Sequence, residues 1–396
     1  MGALIYLVAG EASGDVLGAR LMHALAALRP DLRFHGIGGA RMAEQGLDSL
    51  FPMRELAVMG LLEVLPRVRA LSRRLGETAA DVARTRPALV VTIDSPGFTL
   101  RLLRRIAPLG IPRVHYVAPQ VWAWREHRVR EFPGLWERLL CLLPFESAFF
   151  ARHGIEARFT GHPVLQSGAD TGDAARFRAR HGLADDARIV MLMPGSRRSE
   201  APRLLPVFGR TLALLSRELD GIVPVVAASP VVAEAVLRAS RGPSARAWPV
   251  RPIIVTEAAD KHDAFAASGA ALTKSGTSTL ELALAGVPMA VTYRVNPVTA
   301  AIVRRLIRVP HVAMVNLLAK RELVPELLQQ DCRPSLLAAT LARLLTDPEA
   351  AAQQREGFVA VLDQLRAPRG TPSEAAALEV LALLDATASR DIGLHA

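Results

Sequence analysis

The chain has 396 residues, of which 51% are hydrophobic and 22% charged, with a formal net charge of +10. This length gives a prior of roughly two to three domains, and the balance excludes a largely disordered chain. Two cysteines, Cys141 and Cys332, exclude a disulfide framework, and the excess of Lys and Arg favours an anionic partner.

The N-terminus reads Ala3-Leu4-Ile5-Tyr6-Leu7-Val8-Ala9 and runs straight into Gly10. It carries no cationic leader, so a first strand is predicted and not a signal peptide. Further strands are predicted at Arg33–Ile37, Ala88–Ile93, Arg113–Val117 and Leu139–Leu143. Between them 3.6-residue periodicity predicts helices at Asp15–Leu28, Leu61–Ala83 and Thr99–Ala107. The stretch between His162 and Arg176, which carries Pro163, Gly168 and Thr171-Gly172, marks a domain break. It gives domains of residues 1–168 and 169–396, with the last helices able to return to the first. The second half repeats the alternation. Strands are predicted at Ile189–Met193, Ile222–Ala227, Ile253–Thr256, Ala270–Thr273 and Met289–Tyr293. Helices are predicted at Ala201–Glu218, Val231–Arg238, Asp260–Ala267, Ser278–Leu284 and Pro334–Leu345. Alternation of this kind specifies parallel sheets in two α/β units. No uncharged apolar run reaches the ~18 residues needed to span a bilayer.

Ligands of such sheets bind beyond the carboxyl ends of the strands. Four turns stand there: Gly10-Glu11-Ala12-Ser13-Gly14-Asp15, Asp94-Ser95-Pro96-Gly97, Pro194-Gly195-Ser196-Arg197 and Lys274-Ser275-Gly276-Thr277-Ser278. If the halves face each other, all four line one cleft. The last turn opens a helix, whose N-terminal N–H groups and dipole suit a phosphate or diphosphate. Glu281, about one turn on, suits ribose hydroxyls. The same pattern also fits an ordinary capped helix. The Gly10 turn lacks the G-x-G-x-x-G spacing of dinucleotide enzymes, which disfavours hydride transfer. No Asp-x-Asp pair and no Cys/His cluster occurs, so no metal is indicated. Aromatics at 5% and dispersed arginines make nucleic acid the weakest of the anionic partners, behind a membrane surface and phosphorylated substrates, and no nucleic acid is expected.

The apolar stripe Leu61, Val64, Leu65, Val68, Leu71 and Leu75, widened by Leu62, is flanked by Arg67, Arg69, Arg73 and Arg74. This is the pattern of an interfacial helix, and equally of a core helix with a basic outer face. Trp122, Trp124, Arg125, Arg128 and Arg130 form a second aromatic and cationic patch.

Ten blocks in order give the chain a resemblance to the lipid-A-disaccharide synthase family. They include Val8-Ala9-Gly10-Glu11-Ala12-Ser13-Gly14-Asp15, Ile93-Asp94-Ser95-Pro96, Ala118-Pro119-Gln120-Val121-Trp122-Ala123-Trp124, Leu143-Pro144-Phe145-Glu146, Gly161-His162-Pro163, Pro194-Gly195-Ser196-Arg197, Ser275-Gly276-Thr277 and Val315-Asn316-Leu317-Leu318. The resemblance implies an α/β chain of two Rossmann-like domains facing a cleft, the GT-B glycosyltransferase fold, working without cofactor or metal. It implies transfer from UDP-2,3-diacylglucosamine to 2,3-diacylglucosamine 1-phosphate with inversion, giving a β-1,6 disaccharide and UDP. Asp94 is then the base, with Glu11 and Ser13 as further catalytic candidates. Arg197, Ser275, Gly276, Thr277, Glu281 and Asn316 bind the donor. Gly10, Gly14 and Asp15 belong to the acceptor loop, and Leu61, Leu62, Leu65, Arg67, Arg69 and Arg73 meet an anionic membrane. The location implied is the inner face of the cytoplasmic membrane, with homo-oligomerisation left open. Other readings are a different UDP-sugar transferase of this fold, a non-catalytic nucleotide-sugar-binding protein, or an epimerase. One departure stands out: Gly97-Phe98-Thr99 replaces the Asp-Phe-Asn usual in the family after Asp94-x-Pro. On the residues alone, Asp94 also fits a helix cap.

Overall fold

The structure is a computed structural model that describes residues 2–56, 68–195, 201–241, 248–294, 296 and 309–393. The chain divides into two compact units. One runs up to Pro163 and resumes at Leu365; the other is Val164–Gln364.

The first unit is built on β1 (Leu4–Ala9), β2 (Arg33–Ile37), β3 (Asp48–Ser49), β4 (Leu89–Ile93), β5 (Arg113–Tyr116), β6 (Arg138–Cys141) and β7 (Ala157–Phe159). They form one sheet in the order β3-β2-β1-β4-β5-β6-β7, every pair parallel. Its described helices are α1 (Ala12–Leu28), α2 (Ala40–Ala43), α3 (Val68–Thr85), α4 (Pro96–Ile106) and α5 (Pro144–Ala151). The central strands are apolar on consecutive residues because helices cover both faces, so alternation is lost. Residues Ile5 to Ala9 are all fully buried. The predicted strand Leu139–Leu143 ends two residues early, at Cys141, because Leu143 already serves as the N-cap of α5.

The second unit contains β8 (Arg188–Met193), β9 (Ile222–Ala227), β10 (Ile253–Val255), β11 (Ala270–Lys274), β12 (Met289–Tyr293) and β13 (Glu326–Leu328). Their order is β10-β9-β8-β11-β12-β13, again all parallel. Around them are α6 (Ala174–His181), α7 (Ala201–Glu218), α8 (Pro230–Arg241), α9 (Ala258–Ala267), α10 (Ser278–Leu284), α11 (Met314–Ala319), α12 (Pro334–Thr346) and α13 (Pro348–Gln364).

The last helix, α14 (Pro372–Gly393), belongs to the first unit. Its Ala376, Ala377, Val380, Leu381, Leu383 and Leu384 join the core of β1 and α1. Arg138 of β6 donates to the Glu379 carboxylate (2.9 Å) and carbonyl (3.1 Å) of this helix. Nearby, the His162 N–H donates to the Leu365 carbonyl at 2.9 Å, which joins the two ends of the unit's chain. Among the described residues no helix is long and apolar enough to cross a membrane.

In both sheets the winding direction reverses once, between β1 and β4 and between β8 and β11. A crevice opens at such a reversal, beyond the carboxyl ends of the two strands, and ligands of doubly wound sheets bind there. Gly10 and Asp94 follow β1 and β4; Pro194 and Ser275 follow β8 and β11.

Candidate active site

In the first unit, the Asp94 N–H donates to the Tyr116 carbonyl at 2.9 Å, extending the β4–β5 ladder by one residue. The chain then leaves the sheet through two successive left-handed residues, Asp94 at φ +50° and Ser95 at φ +48°. Neither is glycine, so each costs about 1–3 kcal/mol and must be held by its surroundings. Thr99 supplies that hold. Its fully buried hydroxyl donates to the Asp94 carbonyl at 2.7 Å and to the Ser95 carbonyl at 3.0 Å. The Phe98 and Thr99 N–H groups add bonds to the Ser95 carbonyl.

Ser95, and not Asp94, is the N-cap of α4, with Pro96 at the first helical turn. The Asp94 carboxylate is therefore not spent as a cap. Burial raises its pKa above the usual Asp value, and a backbone hydrogen bond from Ser95 offsets this only in part. A desolvated carboxylate at a strand end is the form a general base takes. Gly10 lies directly beside Ser95: a Cβ there would fall 2.5 Å from the Ser95 hydroxyl, so no side chain fits. The Ser95 hydroxyl is buried and has no partner among the described residues.

Glu11 occupies the N-cap position of α1 without a side-chain cap bond, and Ser13 is exposed on the first turn. Gly14 is buried, facing Ala9 and Ile93. Asp15 has a local task. Its carboxylate accepts the N–H groups of Gly39 (2.8 Å), Arg41 (3.1 Å) and Met42 (3.0 Å), capping α2. Three charge-assisted bonds commit both oxygens to the fold.

In the second unit, β11 ends at Lys274 and α10 begins at Ser278. Gly276 bridges them at φ +150°, a region open to glycine alone. No acceptor among the described residues meets the N–H groups of Gly276, Thr277 or Ser278. Ser275 and Glu281 are half-buried and Thr277 is exposed. The Lys261 ammonium of α9 lies 2.9 Å from Glu281 Oε1 and so fixes one carboxylate oxygen. Lys261 was not legible as a site residue, because its partner is twenty positions away on another helix.

Asn316 is fully buried, and its amide is filled by the protein. Its Nδ2 donates to the Val324 carbonyl and to Glu326 Oε1, both at 2.8 Å. Its Oδ1 accepts the N–H groups of Leu323 (2.8 Å) and Val324 (2.9 Å). A primary amide has four such positions, so none remains for a ligand. The resemblance assigns Asn316 to the donor site, and its amide there is engaged by the surrounding chain. Arg197 lies outside the described residues, as do Leu61, Leu62, Leu65 and Arg67.

The α3 stripe divides. Leu71 and Leu75 pack against the core formed with Tyr6, Val8 and Val82, so that part of the stripe faces inward. Arg74 is held by Glu55 (2.7 and 2.9 Å) and Glu77 (2.6 Å) and lies over the Phe51 ring. Val68, Arg69 and Arg73 are exposed. Of the second patch, Trp122 donates to the buried Glu146 at 3.0 Å, whereas Trp124 is 42% exposed with the Arg125 guanidinium 3.9 Å above its ring.

A family model described as lipid-A-disaccharide synthetase matches residues 5–380. A lipid-A-disaccharide synthase of Gluconobacter oxydans is 62% identical over 389 residues, covering 98% of this chain and 92% of its own. Among solved structures, spinosyn rhamnosyltransferase superposes with a TM-score of 0.58 at 15% identity, over 96% of this chain and 99% of that one. A Neisseria meningitidis UDP-GlcNAc 2-epimerase bound to UDP-GlcNAc gives 0.61 at 11%, over 92% and 99%. The structural likenesses concern the fold, which is GT-B.

Proposed function

The chain belongs to the lipid-A-disaccharide synthase family and is a glycosyltransferase of lipid A biosynthesis; on that premise we propose how its two switch points divide the reaction. The second unit takes UDP-2,3-diacylglucosamine. The Gly276, Thr277 and Ser278 N–H groups receive the diphosphate, with Arg197 as a further cation. Glu281, one oxygen anchored by Lys261, offers the other to the ribose. The first unit takes 2,3-diacylglucosamine 1-phosphate. Asp94 removes the proton from the attacking sugar hydroxyl, and attack opposite the leaving UDP inverts the anomeric carbon. The bond to the acceptor oxygen forms as the bond to the diphosphate oxygen breaks. The leaving charge is met by N–H groups already oriented, so little reorganisation is needed in the transition state.

The observation that carries this reading is the contrast between the two switch points. One holds a desolvated carboxylate on a strained turn, the other a helix start whose leading N–H groups meet no acceptor among the described residues. Glu11 and Ser13 follow β1, the strand next to the one that Asp94 follows, and suit contacts to acceptor hydroxyls. Both substrates carry acyl chains, so the protein works as a peripheral enzyme on the inner face of the cytoplasmic membrane. Exposed Val68, Arg69, Arg73, Trp124 and Arg125 support an anionic, partly apolar partner surface.

Incubation with both substrates, read by mass spectrometry, tests the proposal. The expected products are the disaccharide 1-phosphate and UDP in equal amounts. UDP release without disaccharide, or no turnover by folded protein, overturns it.

A further inference from the structure

Glu326 has no place in the chemistry above, yet it is the hub of a polar cluster that reaches the donor turn. It is the first residue of β13, paired in register with Val291 of β12. Its side chain is only 10% exposed. Its carboxylate accepts the Val312 N–H (3.0 and 3.1 Å), the Ala313 N–H (2.9 Å) and Asn316 Nδ2 (2.8 Å). Asn316 in turn ties down the Leu323 and Val324 backbone, fixing the turn through Lys320 at φ +54° that leads to β13. The segment held in this way presents the Val312 carbonyl to the Ser275 hydroxyl, which donates to it at 2.6 Å. A continuous path of short bonds thus runs from the sheet through Glu326 and Val312 to Ser275, next to Gly276.

We propose that Asn316 and Glu326 are positioning residues of the donor turn: they hold Val312 so that its carbonyl anchors Ser275 and sets the direction of the N–H groups that follow. The proposal rests on reading Ser275–Ser278 as the diphosphate seat. Ser275 hydroxyl, already engaged by Val312, acts on the turn and not on the phosphate. A small rotation of Ser275 re-aims every N–H behind it, and misplacement of order 1 Å in such a site is costly.

The test is calorimetric titration of the full chain with UDP, alongside separate KM values for donor and acceptor. Glu326→Gln keeps the shape but turns an amide N–H₂ toward the N–H donors. It should weaken UDP binding and raise donor KM by about tenfold, the scale of one lost charge-assisted bond, while acceptor KM is unchanged. Ser275→Ala should act in the same direction, and the double variant should be no worse than the weaker single variant, since both cut one path. Gly276→Val separates the two levels. If it binds UDP like the parent chain, the seat is elsewhere and the clasp fails with it. If it loses UDP while Glu326→Gln and Ser275→Ala bind normally, the clasp alone is refuted. Equal rises in donor and acceptor KM for Glu326→Gln also refute it. Should Glu326→Gln not fold, Ser275→Ala leaves the Asn316–Glu326 bonds intact, and unchanged UDP affinity in it overturns the proposal.

Discussion

Thr99→Val is the most revealing single perturbation of the first switch point. Valine keeps the shape of threonine and removes only the hydroxyl, which now bonds the Asp94 and Ser95 carbonyls at 2.7 and 3.0 Å. The Ser95 carbonyl retains the N–H groups of Phe98 and Thr99. The Asp94 carbonyl has no second donor among the described residues. Losing the bond costs about 1 kcal/mol, and stranding a buried carbonyl adds about 1–2. The total of about 2–3 kcal/mol should lower the melting temperature of a unit this size by roughly 4–12 °C. Part of that energy now holds Asp94 and Ser95 at positive φ, so the turn should relax and carry the carboxylate with it. We expect kcat to fall by about tenfold or more with both KM values nearly constant, the pattern of a misplaced base. Thr99→Ser, which restores the hydroxyl, should recover most of the rate. In an Asp94→Asn background Thr99→Val should cost little further rate. A variant destabilised by that amount but with unaltered kcat would refute the idea that this hydroxyl places the base.

The pH profile follows from the same carboxyl. Burial holds Asp94 above the usual Asp value and its base form is the carboxylate, so kcat/KM should climb as pH rises through that raised pKa and flatten above it; an acid limb in the range of an exposed aspartate contradicts the burial argument. Glu146 accepts Trp122 Nε1 (3.0 Å) and the N–H groups of Leu142 and Leu143 (3.1 and 3.0 Å), so Glu146→Ala should cost about 2–4 kcal/mol in urea unfolding. Burial pushes Glu146 up from 4.5 to about 7, so the native state keeps its proton where the unfolded chain has lost it, and this group's contribution to stability should decline as pH rises across that window. Reversible binding to anionic vesicles should weaken with salt. Arg69→Glu with Arg73→Glu should reduce it by tenfold or more, at about 1 kcal/mol per arginine near the surface; unchanged vesicle binding places the membrane face elsewhere.

Much of this architecture is legible in the chain itself. Strands such as Ile5–Ala9 and Ile189–Met193 are continuous apolar runs because helices cover both sheet faces, and their ends locate the four turns. The edge strands β3, β7 and β13 were not legible. They have two or three residues, are half-exposed, and carry no run long enough to show a period. The return of α14 to the first unit follows from Ala376 and Val380 fitting α1 and β1, a match that periodicity cannot specify. Asp94 was legible as a turn acid after a strand. Its left-handed backbone and its dependence on Thr99 were not, since they exist only once α4 folds back over the turn. Asn316 shows the same limit: the resemblance assigned it to the donor site without a partner, and only tertiary packing shows all four of its hydrogen-bonding positions filled from the surrounding chain.

The central claim is that Asp94 is the base of an inverting sugar transfer. Asp94→Asn tests it most directly, because asparagine has the same shape and tolerates the left-handed turn, so the fold and the UDP site should persist. The measurement is kcat for disaccharide formation with both substrates saturating, beside UDP affinity and the melting temperature. kcat should fall by about 10²-fold or more, with affinity and melting unchanged. A rate near that of the parent chain in a folded, UDP-binding variant would contradict it.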